Sequence, residues 1–267
     1  AAARAPALSP AQLDDALRER FRVLTAGDPL APPRQHSLRA AMQWTHGLLN
    51  PAEQAVFRRL AVFVGGFDLP AAQRVCSDEG TWGDAAPELP AIDKWQVLDA
   101  LSVLVDRSLV TAPVGEPPRY RLLDTPLAFA RQLLEAAQEQ AATRLRHLAH
   151  FRALYEAAYE DHLWRHQSAP QWLAQFGADA DNGLAALAHA IEHDVESAIA
   201  LVPGLAQALA RRHAERFKAW HDTVPLLAPS LPPDMRARWQ LGFAQFWGIN
   251  RGDLRFRLHA QEAAAHF

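Results

Sequence analysis

The sequence predicts a mainly α-helical protein in two parts, and three observations carry that expectation. Apolar residues recur at three- and four-residue intervals from Leu38 almost to the C-terminus. Helix starts are written in one repeated form, a polar cap with Pro next or Glu/Gln three residues on: Ser9-Pro10-Ala11-Gln12, Asn50-Pro51-Ala52-Glu53, and Asp93 with Gln96. Strand-like text occurs in one place, LVTAPVGEPPRYRLL at residues 109–123, where two short β-prone runs flank a Gly/Pro turn.

Taken in order, the first helix spans residues 9–25 and turns Leu13, Leu17, Phe21 and Leu24 inward. GDPLAPP, residues 27–33, is a turn-rich linker. The next helix carries one apolar stripe of Leu38, Ala41, Met42, Thr45, Leu48 and Leu49. Asn50 ends it and caps a further helix, which is expected to bury Val56, Phe57, Leu60, Ala61 and Val64 and to hold Arg58 and Arg59 outward. Gly65-Gly66 stops this helix, since Gly takes φ > 0 without cost. Asp68 caps a short helix to Cys76, and residues 77–91 read as a loop. The helix at 93–107 is expected to bury Val97, Leu98, Leu101, Leu104 and Val105. A hairpin of 109–113 with 119–123 follows, and Thr125-Pro126 begins a helix to about Gln138. Three helices, a two-stranded wing and a closing helix make residues 34–138 a winged-helix domain.

Residues 139–267 read as helix throughout. RLRHLAHFRALYEAAYE is one helix with Leu145, Leu148, Phe151, Ala153, Leu154 and Ala158 toward one side. QWLAQFGADADNGLAALAHAIEH is a helical pair turning at Gly177, and 196–220 is helical with a break near Pro203-Gly204. Residues 235–267 match a degenerate tetratricopeptide (TPR) unit: an aromatic helix through Trp239, Phe243 and Phe246, a turn at Asn250-Arg251-Gly252-Asp253, and an Ala-rich helix, the order of that roughly 34-residue repeat. AQEAAAHF is not a polar terminal cap, so a truncated piece of a longer superhelix is expected.

With 267 residues, 49% hydrophobic and 21% charged, the chain has globular composition. A net charge of -3 gives no general electrostatic reason to bind nucleic acid. Cys76 is the single cysteine, which suits a reducing compartment. There is no apolar run long enough to span a membrane and no signal-peptide core, so a cytoplasmic location and no membrane partner are expected.

Arg34, Ser37, Leu38, Trp44, Thr45, Leu48, Leu49, Glu53, Phe57, Leu60, Ala61, Val62, Phe63, Gly65, Gly66 and Phe67 stand at fixed spacing in a string that resembles a known pattern. It is similar to the region just after the nucleotide-binding core of bacterial STAND ATPases, the NB-ARC-like transcriptional regulators of AfsR and LuxR type. Leu17, Arg20, Phe21, Val23, Leu24 and Gly27 resemble the segment closing their helical lid, which makes residues 1–33 a lid remnant and linker. Trp172, Leu173, Asp181, Asn182, Ala186 and Leu187 resemble the opening of their C-terminal superhelix. Gly183 replaces the family's usual Leu and is expected to loosen the first turn of its helix.

The resemblance implies a non-catalytic sensor segment that couples an effector or protein ligand on the helical repeats to an upstream ATPase domain of the same chain. ATP or ADP belongs to the full-length protein, this chain holds no cofactor, and an oligomer on activation is expected. Family members place the His of an M-H-D motif near the ADP β-phosphate. The matching triplet is Leu122-Leu123-Asp124, so Leu123 loses that contact, while Asp124 either caps the next helix or serves the switch. Arg34 and His36 either face the ATPase core or form a solvated helix start.

The residues themselves limit the chemistry. There is no G-x-x-x-x-G-K-[ST], so this chain is expected not to be an enzyme acting on ATP. His162/His166, His189/His193 and His147/His150 have helical pair spacing, but without a third ligand no metal is assigned, and solvated helix faces explain them. Cys76 reads as a core thiol. The helix at 93–107 sets Asp93, Asp99 and Asp106 against Lys94 and Arg107, a poor groove reader, so DNA is expected to be bound only by a separate domain. Trp164, Trp172, Trp220, Trp239 and Trp247 either pack helices or line a groove for an effector or partner. The alternative to the sensor reading is a free-standing TPR-like protein–protein interaction adaptor; a metal-dependent enzyme built on the His pairs is a third.

Overall fold

The computed structural model describes residues 38–79, 91–112, 118–164 and 168–210, with scattered positions between 232 and 264. The expected helix at 9–25, the linker at 27–33, Arg34, His36, Trp220 and Trp247 lie outside the described residues, as do most of the repeat at 235–267 and the side chain of Trp164. The described elements are mainly helical. In chain order they are α1 (Leu38–Gly47), α2 (Pro51–Arg59) running into a 3-10 turn (Leu60–Val62), β1 (Gly66–Phe67), α3 (Leu69–Cys76), α4 (Lys94–Asp106), β2 (Tyr120–Arg121), α5 (Asp124–Ala136), α6 (Gln140–Trp164), α7 (Ala169–Phe176), a 3-10 turn (Gly177–Asp179), α8 (Ala180–His193) and α9 (Val195–Ala210). The chain divides into two compact units, one of residues 1–62 and 68–140, the other of 63–67 and 141–267.

Local chemistry fixes the helix ends of the first unit. Asn50 Oδ1 accepts the Glu53 N–H and Glu53 Oε2 accepts the Asn50 N–H, both at 2.9 Å, so α2 starts in a closed capping box. Asp93 and Gln96 form the same box on α4, and Asp68 Oδ1 accepts the Ala71 N–H at 2.8 Å on α3. The C-terminal ends were not legible. Ser108 (φ 57°) and Gln138 (φ 55°) take the left-handed conformation usually left to Gly. In each case the next N–H reaches back five residues, Leu109 to the Leu104 carbonyl and Glu139 to the Leu134 carbonyl, which closes the helix end. Thr111 and Arg121 form an antiparallel bridge with N···O distances of 2.8 and 2.9 Å across the expected hairpin.

Around α2 the core is Phe57, Leu60, Val97, Leu101, Leu104 and Phe129, all buried. The expected inward faces hold only in part. Leu48 is exposed, and α4 buries Ala100 while Leu98 and Val105 stay half-buried. Arg59 corrects the outward assignment, because it is 5% exposed. Its guanidinium donates to the Cys76 carbonyl at 2.7 Å, pairs with Asp78 at 3.0 Å and with Glu139 at 3.3 Å. Arg58 grips both oxygens of Glu139 at 2.8 Å. The helical wheel set both arginines on the flank of the apolar stripe, and neighbouring segments cover that flank. Burial opposes the Arg59 charge, but Glu139 and Asp78 more than restore it. Burial likewise pushes Glu139 up, and the hydrogen bond from Arg58 and the charge of Arg59 outweigh it, holding that carboxyl below its ordinary range.

In the second unit α6 buries Thr143, His147, Phe151, Tyr155 and Ala158, an i, i+4 stripe with Leu148 beside it. The expected face was rotated from this: Leu145 and Ala153 are exposed. Apolar residues lie nearly all round α6, so the packing partners choose the face. Those partners are glycines. A Cβ on Gly183 would sit 2.5 Å from Tyr155 Cε2 and 2.6 Å from Leu205 Cδ1, and one on Gly204 would overlap the Tyr155 carbonyl oxygen. Gly183 therefore admits the Tyr155 ring rather than loosening its helix. The expected break at Pro203-Gly204 is also corrected: α9 runs through both, because Pro203 removes one amide donor while Gly204 lets the helix close on α6. The turn at Gly177 is a 3-10 turn between α7 and α8.

Two outcomes follow from this packing. Glu139→Gln leaves Arg59 short of one charge and is expected to cost about 2 kcal/mol at neutral pH by urea denaturation. Because the Glu139 carboxyl is depressed in the folded state, its contribution is present above the ordinary carboxylate value of 4.5 and is lost as pH falls below it, so the variant also shows a shallower acid loss. Gly204→Ala gains about 1 kcal/mol of helix propensity but overpacks Tyr155, and a net loss of about 2 kcal/mol is expected from thermal denaturation; a gain in stability shows instead that α9 slides freely.

Candidate functional site

Leu123 and Asp124 stand at the start of α5. Leu123 is the N-cap residue, extended at φ -71° and ψ 162°, 49% exposed and without a side-chain cap bond. Asp124 is the first residue of the helix and exposed. The expectation that Asp124 caps the helix is corrected by one position. A carboxylate in the first turn still faces the positive end of the helix dipole. The Leu123 isobutyl group has no hydrogen-bonding atom, so its side chain offers a phosphate no donor.

The tryptophans proposed for a groove are placed differently. Trp172 is 4% exposed and its indole N–H donates to the Ala158 carbonyl at 2.9 Å. It packs on Phe176 with ring centroids 5.3 Å apart, and the Tyr155 hydroxyl donates to the Phe176 carbonyl at 3.2 Å. Trp239 is 2% exposed. Both rings are sealed inside, so neither offers a face to an incoming ligand. Large apolar side chains that do face outward include Trp44, Trp95 and Leu145.

A polar constellation in the second unit surrounds Asn182, on the first turn of α8. Its Oδ1 accepts the Val64 N–H at 2.7 Å. Its Nδ2 donates to the Gly66 carbonyl at 2.9 Å and to Asp179 Oδ1 at 3.2 Å. One side-chain amide thereby satisfies both polar directions of segment Phe63–Phe67, in which Gly65 takes φ 87°. Phe63 and Phe67 stack at 4.5 Å, and both are buried.

His147 lies against this segment and corrects the expectation that the paired histidines occupy solvated faces. It is 3% exposed, with ring centroids 5.5 Å from Phe63 and 4.6 Å from Phe151. Burial drives its imidazole down to about 3, the Asn182 side chain partly opposing this, so the ring is neutral. His189 and His193 stack at 4.4 Å. Among the described residues no three His, Cys, Asp or Glu side chains are grouped to hold a metal ion. Cys76 is buried. The i, i+4 run Thr143-His147-Phe151-Tyr155 was the signal that would have placed His147 inside; aromatic neighbours one turn away on the same face point to a packed ring.

No described helix is long and apolar enough to cross a membrane. No family model and no solved structure matches the chain. The chain is 35% identical over 227 residues to a Mycobacterium tuberculosis protein named "putative HTH-type transcriptional regulator", covering 84% of this chain and 24% of that one. A protein of the same name in Mycobacterium bovis is similar to the same extent. An uncharacterised M. tuberculosis protein is 35% identical over 156 residues, 57% of this chain and 36% of that one. The chain thus spans about a quarter of the length of these two regulators, and what it shares with them is a stretch of a longer polypeptide.

Proposed function

We propose that this chain is a non-catalytic regulatory segment of a STAND-type ATPase transcriptional regulator, working in the cytoplasm. The observation that carries the reading is its likeness to a stretch of proteins named as transcriptional regulators. In this reading residues 34–138 are a winged-helix domain and residues 139–267 begin a TPR-like superhelix. The helix–strand–helix–helix order of α2, β1, α3 and α4, followed by the Thr111–Arg121 bridge and α5, supports the first part. ATP or ADP would bind an upstream domain of the same polypeptide, since this sequence has no P-loop. An effector or protein ligand on the helical repeats would act by binding two states of the switch unequally.

DNA recognition falls to another domain. The exposed side of α4 presents Asp99 and Asp106 alongside Lys94, with Trp95 63% exposed. Such a surface neutralises no row of phosphates.

Two measurements test the reading. In fluorescence anisotropy the chain is expected to bind duplex DNA more weakly than about 100 μM at physiological salt; tight binding that falls steeply with salt makes the wing a DNA reader. In the full-length protein, ADP binding is expected by calorimetry, and Leu123→His is expected to tighten it about tenfold by supplying a donor to phosphate. A full-length protein that binds no adenine nucleotide removes the ATPase part of the proposal.

A further inference from the structure

Within the second unit, the contacts on segment Phe63–Phe67 converge. The Asn182 amide takes the Val64 N–H and the Gly66 carbonyl. The His147 ring packs on Phe63, and Phe63 also meets Phe151 edge-on at 6.3 Å. His147 Nε2 is buried and makes no hydrogen bond to any described residue, and the same holds for His189 Nε2. A neutral imidazole tolerates this poorly, and an imidazolium with two donors tolerates it far less.

The charges around His147 offer a proton no welcome. From α6 comes His150, and from α8 comes His189, itself stacked on His193; both act against a positive charge on His147. Arg144 on α6 acts the same way on His189, and Glu192 is the carboxylate that opposes it. The 3-10 turn supplies Asp179, which is engaged with Asn182. Segment 63–67, FVGGF, carries no titratable group. Only the Asn182 side chain favours a proton on His147 in place, so the ring takes one up far more readily once it has left its position between Phe63 and Phe151.

We infer that Asn182, His147 and segment 63–67 form an acid-released latch: in mildly acidic solution His147 swings out and is protonated, Phe63 loses one of its three ring contacts, and Val64 and Gly66 come free of Asn182. The inference goes beyond the regulatory reading and does not depend on it. The sign is fixed by linkage. The latched imidazole sits at about 3, below its ordinary 6.5, so the latch keeps its full stability above 6.5 and loses it as pH falls from there toward 3. One proton taken up on release makes the open population grow about tenfold per pH unit in that window. Uptake by His189 as well would steepen it.

Hydrogen exchange on the intact chain, corrected for intrinsic rates, tests this at one amide. Protection of the Val64 N–H is expected to be level from pH 8 to about 6.5 and to fall roughly tenfold per unit down to pH 5. The Thr111 N–H, bonded to Arg121 in the first unit, is the internal control and keeps its protection. In His147→Phe the Val64 protection is expected to be independent of pH. A level profile in the wild-type chain, an unchanged slope in His147→Phe, or loss of Thr111 protection in step with Val64 overturns the latch. Should His147→Phe fail to fold, imidazole NMR of the wild-type chain decides: His147 titrating near 6.5 while Val64 stays protected overturns it, and a ring that titrates only as Val64 opens supports it.

Discussion

A guanidinium taken out of water constrains the first unit more than any apolar contact in it. An isolated buried cation is too costly to keep, so Arg59 dictates what surrounds it. Asp78 lies just past α3 and Glu139 just past α5, and the Cys76 carbonyl closes the ring. The exits of two helices are thereby tied to the end of a third. Asp78 is itself tied down: its N–H donates to the Ile92 carbonyl and its carboxylate accepts the Ile92 N–H at 2.9 Å. Gln138 in the left-handed conformation turns the chain so that Glu139 arrives. An uncommon backbone conformation and an uncommon buried charge therefore support each other, and neither is explained by itself.

The second unit rests on a steric constraint. Tyr155 fits because two helices meet it with hydrogen atoms where side chains would stand, Gly183 at the ring and Gly204 at the backbone. Its hydroxyl then satisfies the Phe176 carbonyl, and Trp172 satisfies the Ala158 carbonyl nearby. The end of one helix and the middle of another are thus joined by two aromatic side chains whose polar tips are paired. Close approach of this kind is why Pro203 is tolerated inside α9. The energy lost with one backbone donor is offset by the contact its neighbour allows.

How much of this could be read beforehand depended on how local the physics was. The caps at Asn50, Asp68 and Asp93 were legible because a cap is a bond between residues three apart. The position of α3 was legible for the same reason, and that of the hairpin bridge because a Gly/Pro turn separates two β-prone runs. Arg59 was not, since a helical wheel gives the flank but not what covers it. Gly183 was legible as a departure from a pattern, yet its reason lies in Tyr155, 28 positions earlier (183 − 155). His147 hid behind its residue type, because histidines on an amphipathic helix suggest solvent. Leu123 is exposed at the start of α5, and its side chain has no atom to donate to a phosphate. Trp172 and Trp239 show the limit of composition: a high density of indoles does not reveal which of them face water.

Phe63–Phe67 lies in sequence between two elements of the first unit, yet it belongs to the second. The second unit is therefore not a separable cassette. Gene fusion or recombination that moved residues 141 onward to a new context would leave Asn182 with no carbonyl and amide to receive and His147 with one bare face.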